Sequence, residues 1–202
     1  LDTFHHPVEK TNFILDLIVS SHLATLTHSV MVSYLAEAIG KHILAARPEL
    51  LRIPSSYLEG NVYASPAEVL DYIVPAALFH DIGKNGMIPI INTQHRKLND
   101  YEFNIIQTHP QKGSDYLSSD PDFLIYQPVA LGHHRSYDGT RGYPLSFDNT
   151  ASPYRDAIDL IHICDCLDAA TDYLSRNYHR AKPFDVVLNE LKAGRGTEYN
   201  PD

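Results

Sequence analysis

Apolar residues recur along this chain at helical spacing, and no segment alternates with the period of two that marks a half-buried strand. Phe13, Ile14, Leu17 and Ile18 form one face of a helix expected over residues 11 to 20. Leu26, Val30, Leu35, Ala38 and Ile39 do the same over residues 25 to 46, with Pro48 just beyond the end. Residues 47 to 65, rich in Pro, Ser and Gly, read as a connection. Pro66 suits the first position of a helix running to about Phe79, and Pro75 inside it predicts a kink or a later start. Gly83, Gly86 and Pro89 place a loop over residues 83 to 97. Asn99 with Glu102 resembles a capping box that opens a helix to about Leu117. Further helices are expected over 122 to 134, 152 to 174 and 183 to 192, with a second glycine- and proline-bearing loop over 135 to 153. The predicted fold class is all-α, a helical bundle with functional loops.

Composition narrows the function classes. The 202 residues suit one domain, or one domain with a small helical extension. A formal net charge of -9 argues against a nucleic-acid polymer as partner, since that needs a basic face to displace counterions. It leaves room for a small phosphorylated ligand held by local cations or metal. No apolar run approaches the roughly 18 residues of a membrane span. The two cysteines, Cys164 and Cys166, give no disulfide framework and point to a reducing cytoplasm. Their spacing does not suit a zinc knuckle, so both are assigned to the core. The ends, Leu1 and Asp202, read as cuts in a longer polypeptide.

Twelve histidines, scattered and often beside acids, direct attention to metal chemistry. His80 and Asp81 are adjacent at the end of an apolar helix, in His80-Asp81-Ile82-Gly83-Lys84. Imidazole and carboxylate both bind divalent transition metals, and a carboxylate can bridge two. Taken alone, the pair is a weak signal and better fits a histidine on a helix C-terminal dipole. His133 and His134 point about 100° apart on a regular helix but can converge at a helix end; alone they also suit an exposed pair. Asp165 is flanked by Ile163, Cys164, Cys166 and Leu167, and a carboxylate among apolar neighbours calls for a partner or a metal. Asp168 lies three residues on, on the same face. His28 and His109, each taken alone, read as ordinary helix histidines.

The combined order resembles the HD superfamily of metal-dependent phosphohydrolases, and within it the HD-GYP phosphodiesterases. The signature His80-Asp81-Ile82-Gly83-Lys84 is intact. So is His133-His134, followed by Asp138-Gly139 and Gly142-Tyr143-Pro144. The likeness extends over roughly residues 23 to 201, through Ile88-Pro89, Glu102, His109-Pro110, Gly113 and the closing Gly196, Tyr199-Asn200-Pro201. It implies a domain over 25–202, with 1–24 as a helical extension or linker from an upstream segment.

By that resemblance the metal ligands are His28, His80, Asp81, His109, His133, His134 and Asp165, with Asp81 bridging two ions. Iron or manganese is expected first, with nickel, cobalt or zinc as substitutes. Asp81 and Lys84 are the expected catalytic residues. Lys84 places a point charge on a phosphate oxygen, and Tyr143 and Arg176 join it in binding substrate. For Tyr143 packing, and for Arg176 solvation at a helix end, stay open as plain alternatives. The implied reaction is hydrolysis of a cyclic dinucleotide, cyclic-di-GMP first, to the linear dinucleotide or GMP, in bacterial signalling. Other outcomes are a non-catalytic sensor module, or hydrolysis of another nucleotide. A fused sensor or receiver domain and a homodimer are compatible with the resemblance.

Departures are visible too. Arg135 stands where the branch usually has a glutamate, removing a carboxylate that could orient a ligand histidine. One extra residue separates Asp138-Gly139 from Gly142-Tyr143-Pro144, two separate Asp168 from Arg176, and Asn177 replaces the usual proline. Ala24 sits one turn before His28, where members with a third metal carry glutamate; two metals are therefore expected.

Overall fold

The computed structural model describes residues 7–55, 62–87, 98–172 and 181–202. Among them are eight α-helices and no strand, which bears out the all-α expectation. They are α1 (Pro7–Ser21), α2 (Leu23–Ala46), α3 (Pro66–Phe79), α4 (Asp100–Ile106), α5 (His109–Ser118), α6 (Gln127–Gly132), α7 (Arg155–Thr171) and α8 (Phe184–Ala193). Short 3-10 turns cover Pro48–Leu50, Ile82–Gly86 and Leu124–Tyr126.

The local chemistry explains most boundaries. Ser65 caps α3 by accepting from Glu68 N, Glu68 returns a bond to Ser65 N, and Pro66 occupies the first turn, where its missing donor costs nothing. The helix continues through Pro75 as one element, in place of a later start. Asn99 and Glu102 form the expected capping box, but the helix they open stops at Ile106 and not near Leu117. Pro110 is the reason. It lacks the N–H that a continuous helix would send to the Ile106 carbonyl, so the chain breaks and restarts as α5. The helix expected over 122 to 134 is likewise shorter, a 3-10 turn followed by α6.

Helices α2, α3, α6 and α7 enclose the main apolar core. Val32 and Ala36, Val69, Ile73 and Ala77, Val129, and Ala157, Ile158, Ile161 and Cys164 supply it. Each buried aliphatic side chain of Val or Ile size stabilises the fold by about 1.5–3 kcal/mol relative to exposure. A second cluster joins Ile14 and Ile18 of α1 to Phe79, Ile82, Leu117, Phe123 and Ala130. Between the two clusters α2, α3 and α7 run together, and there the interior turns polar.

Candidate metal centre

Seven side chains converge at that junction, the seven read from the sequence. His28 comes from the first half of α2, His80 and Asp81 follow α3, and His109 opens α5. His133 and His134 follow α6, and Asp165 lies in the last half of α7. His28, His80, Asp81, His109, His133 and Asp165 are buried; His134 is partly exposed. They fall into two groups, His28 with His80 and Asp165, and Asp81 with His109, His133 and His134. Within each group the donor atoms lie within 4.8 Å of one another.

Asp81 stands between the groups. Its Oδ1 lies 3.2 Å from His109 Nε2 and 3.8 Å from His133 Nε2. Its Oδ2 lies 3.5 Å from His80 Nε2 and 3.7 Å from His28 Nε2. Lys84 Nζ donates to the same Oδ2 at 2.5 Å. On the far side Asp165 Oδ1 is 3.0 Å from His28 Nε2, and its Oδ2 is 3.7 Å from His134 Nδ1.

The ring orientations follow from helix ends. His80 Nδ1 donates to Ala77 O at 2.6 Å, His109 Nδ1 to Ile106 O at 2.7 Å, and His133 Nδ1 to Ala130 O at 2.9 Å. A carbonyl only accepts, so each Nδ1 carries the proton and each Nε2 turns its lone pair inward. All three acceptors lie three residues back, in the last turn of a helix, where carbonyls lack intrahelical partners. The carbonyl that Pro110 leaves free is the one His109 uses.

This donor set fits a cation. His28 Nε2, His80 Nε2 and Asp81 Oδ1 are buried with no hydrogen-bond partner among the described residues. Unpaired buried polar atoms are costly and rare. His109 Nε2 and His133 Nε2 face each other at 3.1 Å, two inward lone pairs that a positive ion would reconcile. The protonation states agree. Burial lowers the affinity of His80, His133 and His134 for a proton, well below the ordinary range for the last two, and neighbouring imidazoles push the same way. Burial opposes ionisation of Asp81, but Lys84, His80 and His109 outweigh it and hold the carboxyl well below the usual range. Asp165 is held low in the same sense by His28 and His134 against its burial. His28 is the exception: burial would lower it, yet the hydrogen bonds its ring donates to Asp165 and Asp168 lift it to about 9, so a metal there would have to displace a proton.

Tyr143 borders the second group. Its ring centroid is 4.6 Å from that of His134 and 6.0 Å from that of His109. Gly142, at φ +85°, lets the chain turn there; a Cβ would meet the His134 carbonyl oxygen at 1.9 Å. Gly83 is equally constrained, since a Cβ would lie 1.9 Å from the His109 carbonyl oxygen, so the turn after Asp81 rests directly on α5. Arg176 and Asn177, like Ile88 and Pro89, lie outside the described residues.

Three side chains around the cluster carry roles that the motifs did not reveal. Arg135 is buried, and its guanidinium donates to the carbonyls of Phe147, Arg141, Gly142 and Gly139, gathering the signature loop around itself. His162 Nδ1 donates to His133 O at 2.5 Å, and its Nε2 lies 3.6 Å from Glu198. Glu198 belongs to a C-terminal segment whose carbonyls accept from the loop, Tyr137 N to Glu198 O and Asp138 N to Thr197 O. His162 sits three residues before Asp165 on one helix face, so its spacing carried the signal. Cys164 lies in the core with its thiol pushed up to about 12 by burial, as the core assignment expects.

The helical bundle thus presents two groups of histidines and carboxylates that could each hold a metal ion, with Asp81 between them. The HD domain family profile matches residues 25–177, and the chain belongs to that family. It is 28% identical over 187 residues to a cyclic di-GMP phosphodiesterase of Vibrio cholerae serotype O1, covering 85% of this chain and 37% of that protein. It is 32% identical over 136 residues to the cyclic di-GMP phosphodiesterase response regulator RpfG of Xanthomonas campestris pv. campestris, covering 66% and 35%. The chain thus spans little more than a third of the length of these relatives. The HD domain of L. monocytogenes phosphodiesterase PgpH, solved in complex with cyclic-di-AMP, superposes with a TM-score of 0.53 at 21% identity, covering 94% of this chain and 84% of that one.

Proposed function

We propose that this chain is a metal-dependent phosphodiesterase domain that opens a cyclic dinucleotide, cyclic-di-GMP in the first place, to the linear dinucleotide or GMP. The observation that carries this reading is the position of Asp81, whose two oxygens face separate histidine groups, an arrangement suited to two ions sharing one carboxylate. His28, His80 and Asp165 would hold one ion and His109, His133 and His134 the other, with Asp81 between them. Iron or manganese suits this nitrogen- and oxygen-rich set. Bound there, such ions lower the pKa of water and neutralise charge on a phosphate.

The protein's own groups supply the rest. Lys84, whose ammonium bonds to Asp81 from the turn that follows it, would bring a positive charge to a phosphate oxygen, where charge grows in the transition state. Tyr143 offers a flat wall beside His134 against which a base or ribose can pack. Arg176 is retained as a candidate substrate contact. The two phosphates of a cyclic dinucleotide suit a locally cationic site on an otherwise acidic chain.

The catalytic domain is read as residues 25–202, with 1–24 as a helical extension that docks Ile14 and Ile18 beside the turn after Asp81. No helix among the described residues is long and apolar enough to cross a membrane. The two free cysteines support a cytoplasmic setting.

One experiment tests the reading. The protein is purified anaerobically, its metal content measured, and cyclic-di-GMP turnover followed by chromatography with iron or manganese added. About two ions per chain with linear product is the expected result. Two ions with intact cyclic-di-GMP but hydrolysis of another nucleotide would reassign the substrate. Metal without any turnover would favour a sensor role, and no metal under any loading would end the hydrolase reading.

A further inference from the structure

Three of the candidate ligand histidines are oriented by carbonyls at the ends of helices, and His28 is not. It sits inside α2, which runs unbroken from Leu23 to Ala46, where backbone carbonyls are committed to the helix ladder. The ring of His28 does not use the carbonyl three residues back. The acceptor it uses is Asp168, whose Oδ2 receives its Nδ1–H at 2.6 Å from a residue 140 positions away. Asp168 is buried, 8% exposed, one turn beyond Asp165 on the same face of α7.

From this difference we infer that Asp168 is a positioning residue, which fixes the ring and tautomer of His28 and makes one of the two metal positions depend on a side chain. The inference rests on the two-metal reading above. The hydrogen bond leaves only Nε2 of His28 to face Asp165 and Asp81. A carboxylate partner also makes the imidazole a more basic ligand than a carbonyl does. The His28–His80–Asp165 position is therefore the one that mutation of an acceptor side chain can empty. In the other position His109 and His133 bond to backbone carbonyls, which no substitution removes.

The test is manganese binding to the intact chain, by equilibrium titration and by electron paramagnetic resonance, for the wild type, Asp168→Ala and Asp168→Asn. Loss of an orienting partner costs about 10–100-fold in metal affinity. Asp168→Ala is expected to lose that much at one ion while the other binds as before, and the coupled two-manganese spectrum should give way to that of a single ion. Asp168→Asn preserves shape and an amide oxygen that can accept Nδ1–H, so it should recover much of the lost affinity and report on the role even if the alanine variant folds poorly. Wild-type affinity for both ions in Asp168→Ala would overturn the inference and leave the hydrolase reading intact. Equal weakening of both ions in the Asn variant would also overturn it. A wild type that binds no manganese would overturn both.

Discussion

His28 and Asp165 project from within α2 and α7, and His80 directly follows α3, the helices whose apolar faces form the main core, whereas His109, His133 and His134 stand at the ends of shorter helices beside the loops. The first group gains its precision from packing. Ile73, Ala77, Ile158, Ile161 and Cys164 of α3 and α7 are all at most 1% exposed in the main core, and a helix held on several sides cannot rotate its ligand away. The second group gains it from backbone geometry, through a proline break before α5, a glycine packed against the His109 carbonyl, and a loop tied to Arg135. One half should therefore respond to changes in core volume and the other to changes in loop hydrogen bonding, with Asp81 answering to both.

The sharpest way to break that division is Asp81→Ala. Because Asp81 borders both groups, it should remove bound metal from both and reduce turnover by at least about 10³-fold, the upper range for one electrostatic group; metal analysis beside a rate assay checks this. Next is Lys84→Ala, expected to keep its metal and lose about 10²–10³-fold in kcat, a split that an unchanged rate would refute. Third is Arg135→Glu, which restores the residue usual after the paired histidines. The guanidinium feeds four carbonyls, so the exchange should cost roughly 2–4 kcal/mol in denaturant unfolding and weaken the second group alone; a gain in stability would show that the loop does not depend on Arg135.

The mildest effect is expected at Asp159, a buried carboxylate on the same helix as Asp165 but outside the candidate ligand set. Burial lifts its pKa to about 6, with Arg155 only partly opposing. The folded state therefore keeps a proton that the unfolded state releases. Stability from this group is full below about pH 4, falls as pH rises to about 6, and is flat beyond. Asp159→Asn should remove that decline and raise stability at pH 7 by on the order of 2–3 kcal/mol, read from melts across pH. An unchanged pH profile would place the burial penalty elsewhere.

The all-α class was legible because apolar periodicity is a local signal, though seven helices were expected and eight stand among the described residues; the candidate ligands were legible only from the combined order of motifs, since His28 and His109 alone read as ordinary helix histidines. Where helices stop was harder. The capping box at Asn99 predicted a start correctly, but the stop at Ile106 depended on weighing Pro110 against a long apolar pattern. Asp168 was placed on the right face without a partner, because nothing local says that a histidine inside α2 lacks an acceptor. Arg135 appeared only as a missing glutamate. Its use as the centre of a loop depends on four carbonyls between Gly139 and Phe147, and carbonyls have no sequence signature.

The bonds from Tyr137 and Asp138 to Thr197 and Glu198 have a consequence in time. A chain is made from its N-terminus, so α2 and α3 can pair while the ribosome is still working, yet His28 and Asp81 then lie in an apolar setting without Asp165 or Asp168. Unpartnered polar groups there are expensive, and contacts of such long sequence separation form late. The helical pair should stay loose until α7 emerges, and the loop with its two histidines should close only after residue 198 is free. The candidate site should therefore be complete only once the C-terminal segment is in place.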